Sequence, residues 1–110
     1  MGLFAKGDVV IASLRFSDFT ASKRRPALII ATPKGLDPVL CLITSRARSD
    51  GYDVLIKKAD FASGGLRRDS NVRPCHLFSL DPSVIEYKAG TLKAEKVDEV
   101  IAKIVDMVRA

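Results

Sequence analysis

Ser22-Lys23-Arg24-Arg25-Pro26-Ala27-Leu28-Ile29-Ile30-Ala31 sets three adjacent cations against a proline, followed by an apolar run. Proline has a fixed φ and pushes the residue before it into extended backbone, so Arg25 is expected at a stiff loop-to-strand boundary, with a strand over residues 27–32. A guanidinium held there can grip a phosphate through two parallel hydrogen bonds, which a floppy cation does poorly. Taken alone, these residues read more readily as a solvated basic loop ahead of a core strand.

Working outward, Val9-Val10-Ile11-Ala12-Ser13-Leu14 is a β-branched run too short for a free-standing helix, so it predicts a strand. Residues 15–25 form a polar loop with Arg15, Lys23, Arg24 and Arg25 against Asp18, and with Phe16 and Phe19 between the charges. Such aromatics can stack bases while the cations hold phosphates, or they can fold back as a small apolar lid. Downstream, the breaker-rich stretch at 33–38 predicts a turn, and residues 39–45 a central strand with apolar side chains on both faces. Its end carries the hydroxyls of Thr44 and Ser45, followed by Arg46 and Arg48.

Residues 52–56 read as a fourth strand after the Asp50-Gly51 turn, and 57–62 are ambiguous. Gly64-Gly65 lacks both the Lys-Ser/Thr of a phosphate loop and the third glycine of a dinucleotide fingerprint, so nucleotide binding is not expected. Leu66-Arg67-Arg68-Asp69-Ser70 follows. Residues 70–73 and 76–80 bracket Pro74, which predicts two short strands or one strand bent at a sheet edge. By alternation Asn71, Arg73 and Cys75 share a face opposite Val72. Asp81-Pro82 fits one turn of helix, and 86–90 a short strand or loop. In the tail, Val97, Val100, Ile101, Ile104, Val105 and Val108 recur at helical spacing, with Thr91 as a candidate cap and Glu99–Lys103 as an i, i+4 pair.

The chain of 110 residues is expected to form a single domain over 1–110, mainly β with a C-terminal helix (α+β), as a small β-barrel. No apolar run spans a bilayer and Lys6 and Asp8 interrupt any leader-like stretch, which predicts a cytoplasmic protein without a membrane partner. Cys41 and Cys75 lack metal-ligand spacing and His76 is the one histidine, so no transition metal and no cofactor are expected. The net charge of +5 is confined to residues 1–90, where 14 cations face 9 anions; the tail has four of each. A basic body implies a polyanion-facing surface.

The order of these pieces resembles the MazF/PemK family of toxin endoribonucleases. The likeness rests on Lys6-Gly7-Asp8-Val9-Val10, Phe16-Ser17-Asp18, Lys23-Arg24-Arg25-Pro26-Ala27-Leu28-Ile29, Ile43-Thr44-Ser45, Gly65-Leu66 with Asp69-Ser70, Ser79-Leu80-Asp81 and Gly90-Thr91-Leu92. It implies an SH3-like barrel, a homodimer, metal-independent and sequence-specific cutting of single-stranded RNA, and an antitoxin partner that is acidic where it covers the cations. It also implies that Arg25, Thr44 and Arg73 are catalytic. Arg15, Phe16, Lys23, Arg24, Ser45, Arg46, Arg48, Arg67, Arg68 and Asp69 are expected to bind RNA, the 15–25 loop forming a basic groove with Arg46, Arg48, Arg67 and Arg68. In the PemK-type branch an aspartate follows the second arginine by two residues; here that position is Cys75.

The chemistry fits these residue types. When the 2′-hydroxyl attacks its own phosphorus, a 2′,3′-cyclic phosphate and a 5′-hydroxyl result, and the charged phosphorane needs electrostatic stabilisation. Arginine, with a pKa above about 12, is a poor proton donor, so the acid and base are unassigned. His76 titrates in a suitable range, but alternation points it away from Arg73, which favours a structural role. Two other classes stay open: a gyrase-poisoning toxin of the same fold, and a non-catalytic RNA- or antitoxin-binding module.

Overall fold

The structure is a computed structural model, described here for residues 4–15, 23–46 and 51–110. Seven strands form one antiparallel sheet: β1 (Asp8–Leu14), β2 (Lys23–Ala31), β3 (Val39–Thr44), β4 (Val54–Ile56), β5 (Phe61–Gly64), β6 (Ser70–Ser79) and β7 (Ile85–Leu92). Their order across the sheet is β4-β6-β3-β2-β1-β7-β5, a curled half-barrel with β4 and β5 at its edges. One helix, α1 (Ala94–Arg109), follows, and single turns of 3-10 helix occur at Lys58–Asp60 and Pro82–Val84. The expected small β-barrel with a C-terminal helix is the observed architecture.

The curl has identifiable causes in β7. Ile11 pairs with Tyr87 and Ala12 with Ile85, leaving Glu86 as an extra residue; Val9 pairs with Gly90 and Val10 with Lys88, leaving Ala89 as another. Each extra residue is a bulge that bends the strand and re-aims its side chains. The Ala89 carbonyl turns outward and accepts the Gly65 N–H at 3.1 Å, tying the segment after β5 to β7.

Both faces of the sheet are buried, as the two-faced apolar runs of β2 and β3 require. On one face Val9, Leu28, Cys41, Ile43, Val54, Ile56 and Val72 pack with Val97 and Val100 of α1. On the other, Val10, Ala12, Ala27, Ile29, Leu40 and Ile85 lie under Phe4, Leu14, Phe78 and Leu80. The helical stripe outruns this core: Val105 is 39% and Val108 68% exposed.

Several local expectations are corrected. Arg25 lies inside β2, not at its boundary, because β1 supplies partners beyond the proline: Ile11 for Pro26, Ala12 for Arg25, Ser13 for Arg24 and Leu14 for Lys23. Thr91 does not cap α1. It belongs to β7, and its hydroxyl donates at 2.9 Å to the buried Asp8 carboxylate, while Lys93 takes the cap position in extended backbone. Glu99 accepts from Lys96 at 2.9 Å instead of pairing with Lys103, whose ammonium reaches the Gly51 carbonyl at 3.4 Å. Pro74 does not split or edge its strand. β6 runs through it, and the β3 register jumps from Cys41↔Leu77 to Ile43↔Val72, so the residue without an N–H falls in the irregular step.

A candidate RNA-binding groove

The ladder between β2 and β3 stops at Ala27↔Leu42, next to Pro26, which has no N–H to carry it on. Arg25 and Thr44 each lie two residues beyond this last pair, on β2 and β3. Here the two strand ends open onto a groove of about 490 Å³. Among the described residues five cations line it (Arg24, Arg25, Arg67, Arg68 and Lys88), together with the hydroxyls of Thr44, Ser45 and Ser70, the Tyr87 ring and the backbone at Gly65 and Ala89. No carboxylate or imidazole is among the described residues that line it.

The cations differ in availability. Arg24 is held by Glu86, whose carboxylate accepts its Nε at 2.7 Å and the Ser13 hydroxyl at 2.6 Å. The Glu86 bulge in β7 aims that carboxylate at β1 and β2. Hydrogen bonds from Arg24 and then Ser13 hold the Glu86 carboxyl below the usual carboxylate range, so it stays ionised near neutrality and is poorly suited to take up a proton. Among the described residues Arg25 makes no ion pair, which leaves its guanidinium facing the groove. The Thr44 hydroxyl accepts the Arg46 N–H at 3.2 Å, a local turn bond that leaves its hydrogen to donate.

The structure thus brings Arg24, Arg25, Thr44, Ser45, Arg67 and Arg68 to one groove. Arg15, Lys23, Arg46 and Asp69 are exposed but do not line it, and Phe16 and Arg48 lie outside the described residues. Sequence reasoning missed Tyr87 and Lys88, because nothing in a short strand candidate at 86–90 shows where its bulges turn the side chains.

Arg73 sits elsewhere. Its guanidinium meets the Asp53 carboxylate at 2.5 Å, with the side chains 17% and 9% exposed. The carboxylate that reaches Arg73 therefore comes from the segment before β4, while Cys75 is exposed on its strand. Asp53→Ala is expected to lower stability by about 2–3 kcal/mol, read from the urea midpoint, somewhat less than the cost of breaking a fully buried pair because the guanidinium edge reaches solvent. A loss under about 0.5 kcal/mol would place the pair among weak surface bridges.

His76 is half-buried, edge-on to Phe78 with centroids 6.2 Å apart, and burial, then the Arg73 charge, lowers its pKa. Both effects favour the neutral imidazole, and His76 does not line the groove. Burial pushes the Cys41 thiol up to about 12, as expected of an inert core residue.

Comparison with known proteins gives these features a context. No curated protein matches the chain in sequence. Among solved structures, the Mycobacterium tuberculosis toxin MazF-mt6 is similar at 22% identity with a TM-score of 0.72, over 93% of this chain and 96% of that one. The Form-III crystal structure of MazE-MazF from Deinococcus radiodurans is similar at 24% identity and a TM-score of 0.74, over 98% of both chains. A mycobacterial endoribonuclease in complex with its cognate antitoxin is similar at 14% identity and a TM-score of 0.72, over 99% of this chain and 96% of that one. These likenesses establish the fold. Among the described residues no helix is long and apolar enough to cross a membrane. The match that carries identity is to the sequence family itself and runs over residues 5–108, almost the whole half-barrel and its helix: the chain belongs to the PemK-like, MazF-like toxins of type II toxin–antitoxin systems.

Proposed function

We propose that this toxin is an endoribonuclease that binds single-stranded RNA in the basic groove and cuts it by way of the substrate's own 2′-hydroxyl. The observation that carries this reading is that Arg25 and Thr44 line the same groove, which among the described residues has five cations and no carboxylate in its lining. Such a surface attracts a phosphodiester chain.

The 2′-oxygen attacks phosphorus as its proton leaves, the P–O5′ bond breaks, and the departing oxygen takes up a proton. The ends are a 2′,3′-cyclic phosphate and a 5′-hydroxyl. Arg25 offsets the charge that builds on the phosphorane oxygens and Thr44 donates a hydrogen bond to one of them. Among the described lining residues, the Tyr87 hydroxyl and the Lys88 ammonium carry hydrogens that could be passed to the departing oxygen, which makes them candidates for the acid. Arg73, bound to Asp53 outside the groove, enters the mechanism only if RNA or a second chain draws it in. The lack of a lining carboxylate among the described residues favours one competing reading, a module that binds RNA or an acidic antitoxin without cutting. The family carries with it an antitoxin partner and a homodimer as further proposals.

The test uses single-stranded RNA in excess EDTA, then the cut sequence with one 2′-deoxy substitution at the scissile step. Cutting in EDTA, cyclic-phosphate ends and an intact deoxy substrate are expected. Cleavage of the deoxy substrate would mean that water or a metal-bound hydroxide attacks instead. RNA that is bound but never cut would establish the binding module, and a protein that traps gyrase without touching RNA would be a gyrase poison.

A further inference from the structure

Tyr87 is 51% exposed, although a buried aromatic is worth roughly 2–3 kcal/mol to a small fold. It sits between the two β7 bulges at Glu86 and Ala89, opposite Ile11, and lines the groove with Arg24, Arg25 and Lys88. The first bulge also aims Glu86 at Arg24, which fixes that guanidinium beside the same stretch of β7. An aromatic face with cations around it, built on a strand and not on a loop, has the composition of a site for a base and its flanking phosphates.

We propose that Tyr87 is the stacking platform for one unpaired base of the bound RNA, with Lys88 contacting a neighbouring phosphate. The proposal rests on the reading of the groove as an RNA site and deepens it. Bases of a duplex are already stacked on each other, so a platform of this kind selects for single strands. Because every base has a π-face, it contributes affinity and register more than choice of sequence.

The probe is a short fluorescein-labelled single-stranded RNA made uncleavable by 2′-O-methyl groups, followed by anisotropy. Tyr87→Ala is expected to weaken binding by about 5- to 150-fold, the range for one base–aromatic stack, with no change in salt dependence. Tyr87→Phe keeps the ring and stays within about twofold of the unaltered protein. Lys88→Ala instead lowers the slope of log affinity against log salt by about 0.7. Removing one base of the probe by an abasic substitution at a single position should abolish the effect of Tyr87→Ala, a coupling that a merely structural tyrosine does not show. A Tyr87→Phe variant as weak as Tyr87→Ala would assign the contact to the hydroxyl and overturn stacking. An unchanged Tyr87→Ala beside a weakened Lys88→Ala would overturn the platform and keep the groove. No binding by the unaltered protein would overturn both.

Discussion

Arg25→Ala is expected to lower the rate of RNA cleavage by about two orders of magnitude while leaving the fold intact. The magnitude is that of removing one preorganised donor aimed at charge that develops in the transition state. Preorganisation here has a structural origin. Arg25 is flanked by Pro26, its backbone is paired to Ala12 on one side, and the seam to β3 is open on the other. Its side chain is thus carried by a strand yet faces a groove, and among the described residues no carboxylate competes for it. The stability cost should be small, because Arg25 is exposed and outside both apolar clusters. Arg25→Lys should also be impaired, since a point charge cannot reproduce the two-pronged contact of a guanidinium. Single-turnover cleavage with matched circular dichroism decides the matter: a folded Arg25→Ala protein that cuts at the original rate would remove Arg25 from the mechanism.

The largest expected effect on stability is at a residue with no side chain. Gly64 has φ +67, and a β-carbon there would lie 2.3 Å from the Ala89 carbonyl oxygen and 2.6 Å from the Gly90 α-carbon. Those atoms belong to the bulged part of β7 and cannot swing aside as a side chain would. Gly64→Ala is therefore expected to cost about 2–5 kcal/mol, combining about 1–2 for the left-handed backbone with about 1–3 for forced separation of β5 from β7. Gly35 is the natural control, with φ +78 and nothing within 4 Å of the site of its β-carbon. Gly35→Ala should incur the backbone cost alone, about 1–2 kcal/mol. Equal urea midpoints for the two variants would show that the close approach to β7 is unimportant. The site should feel Gly64→Ala as well, since Gly65, Leu66, Arg67 and Arg68 form a wall of the groove directly after it.

Much of this molecule was legible in its residues because the signals are local. The β-branched run at 9–14, the two-faced apolar run at 39–45, the helical spacing from Val97 to Val108, and the Asp81-Pro82 cap each depend on neighbours in sequence, and each has its element in the structure, the third strand ending at Thr44. The +5 excess on the body is equally a count over the sequence, and four of its cations, Arg24, Arg25, Arg67 and Arg68, line the groove. What the tertiary structure decided is where non-local partners intervene. β1 extends β2 back to Lys23, Asp8 takes Thr91 away from the helix end, and Asp53 claims Arg73 across 20 residues of chain. The bulges in β7 belong to the same class: an extra residue exists only relative to the strand it is paired with, so Glu86 and Ala89 cannot be read as bulges from β7 alone. They aim Glu86 at Arg24 and set Tyr87 and Lys88 beside Arg25. By itself the sequence determined the charge and the elements with strong local signals, which are properties of short stretches; pairing decided the extent of β5, β6 and β7 and which side chains share the groove.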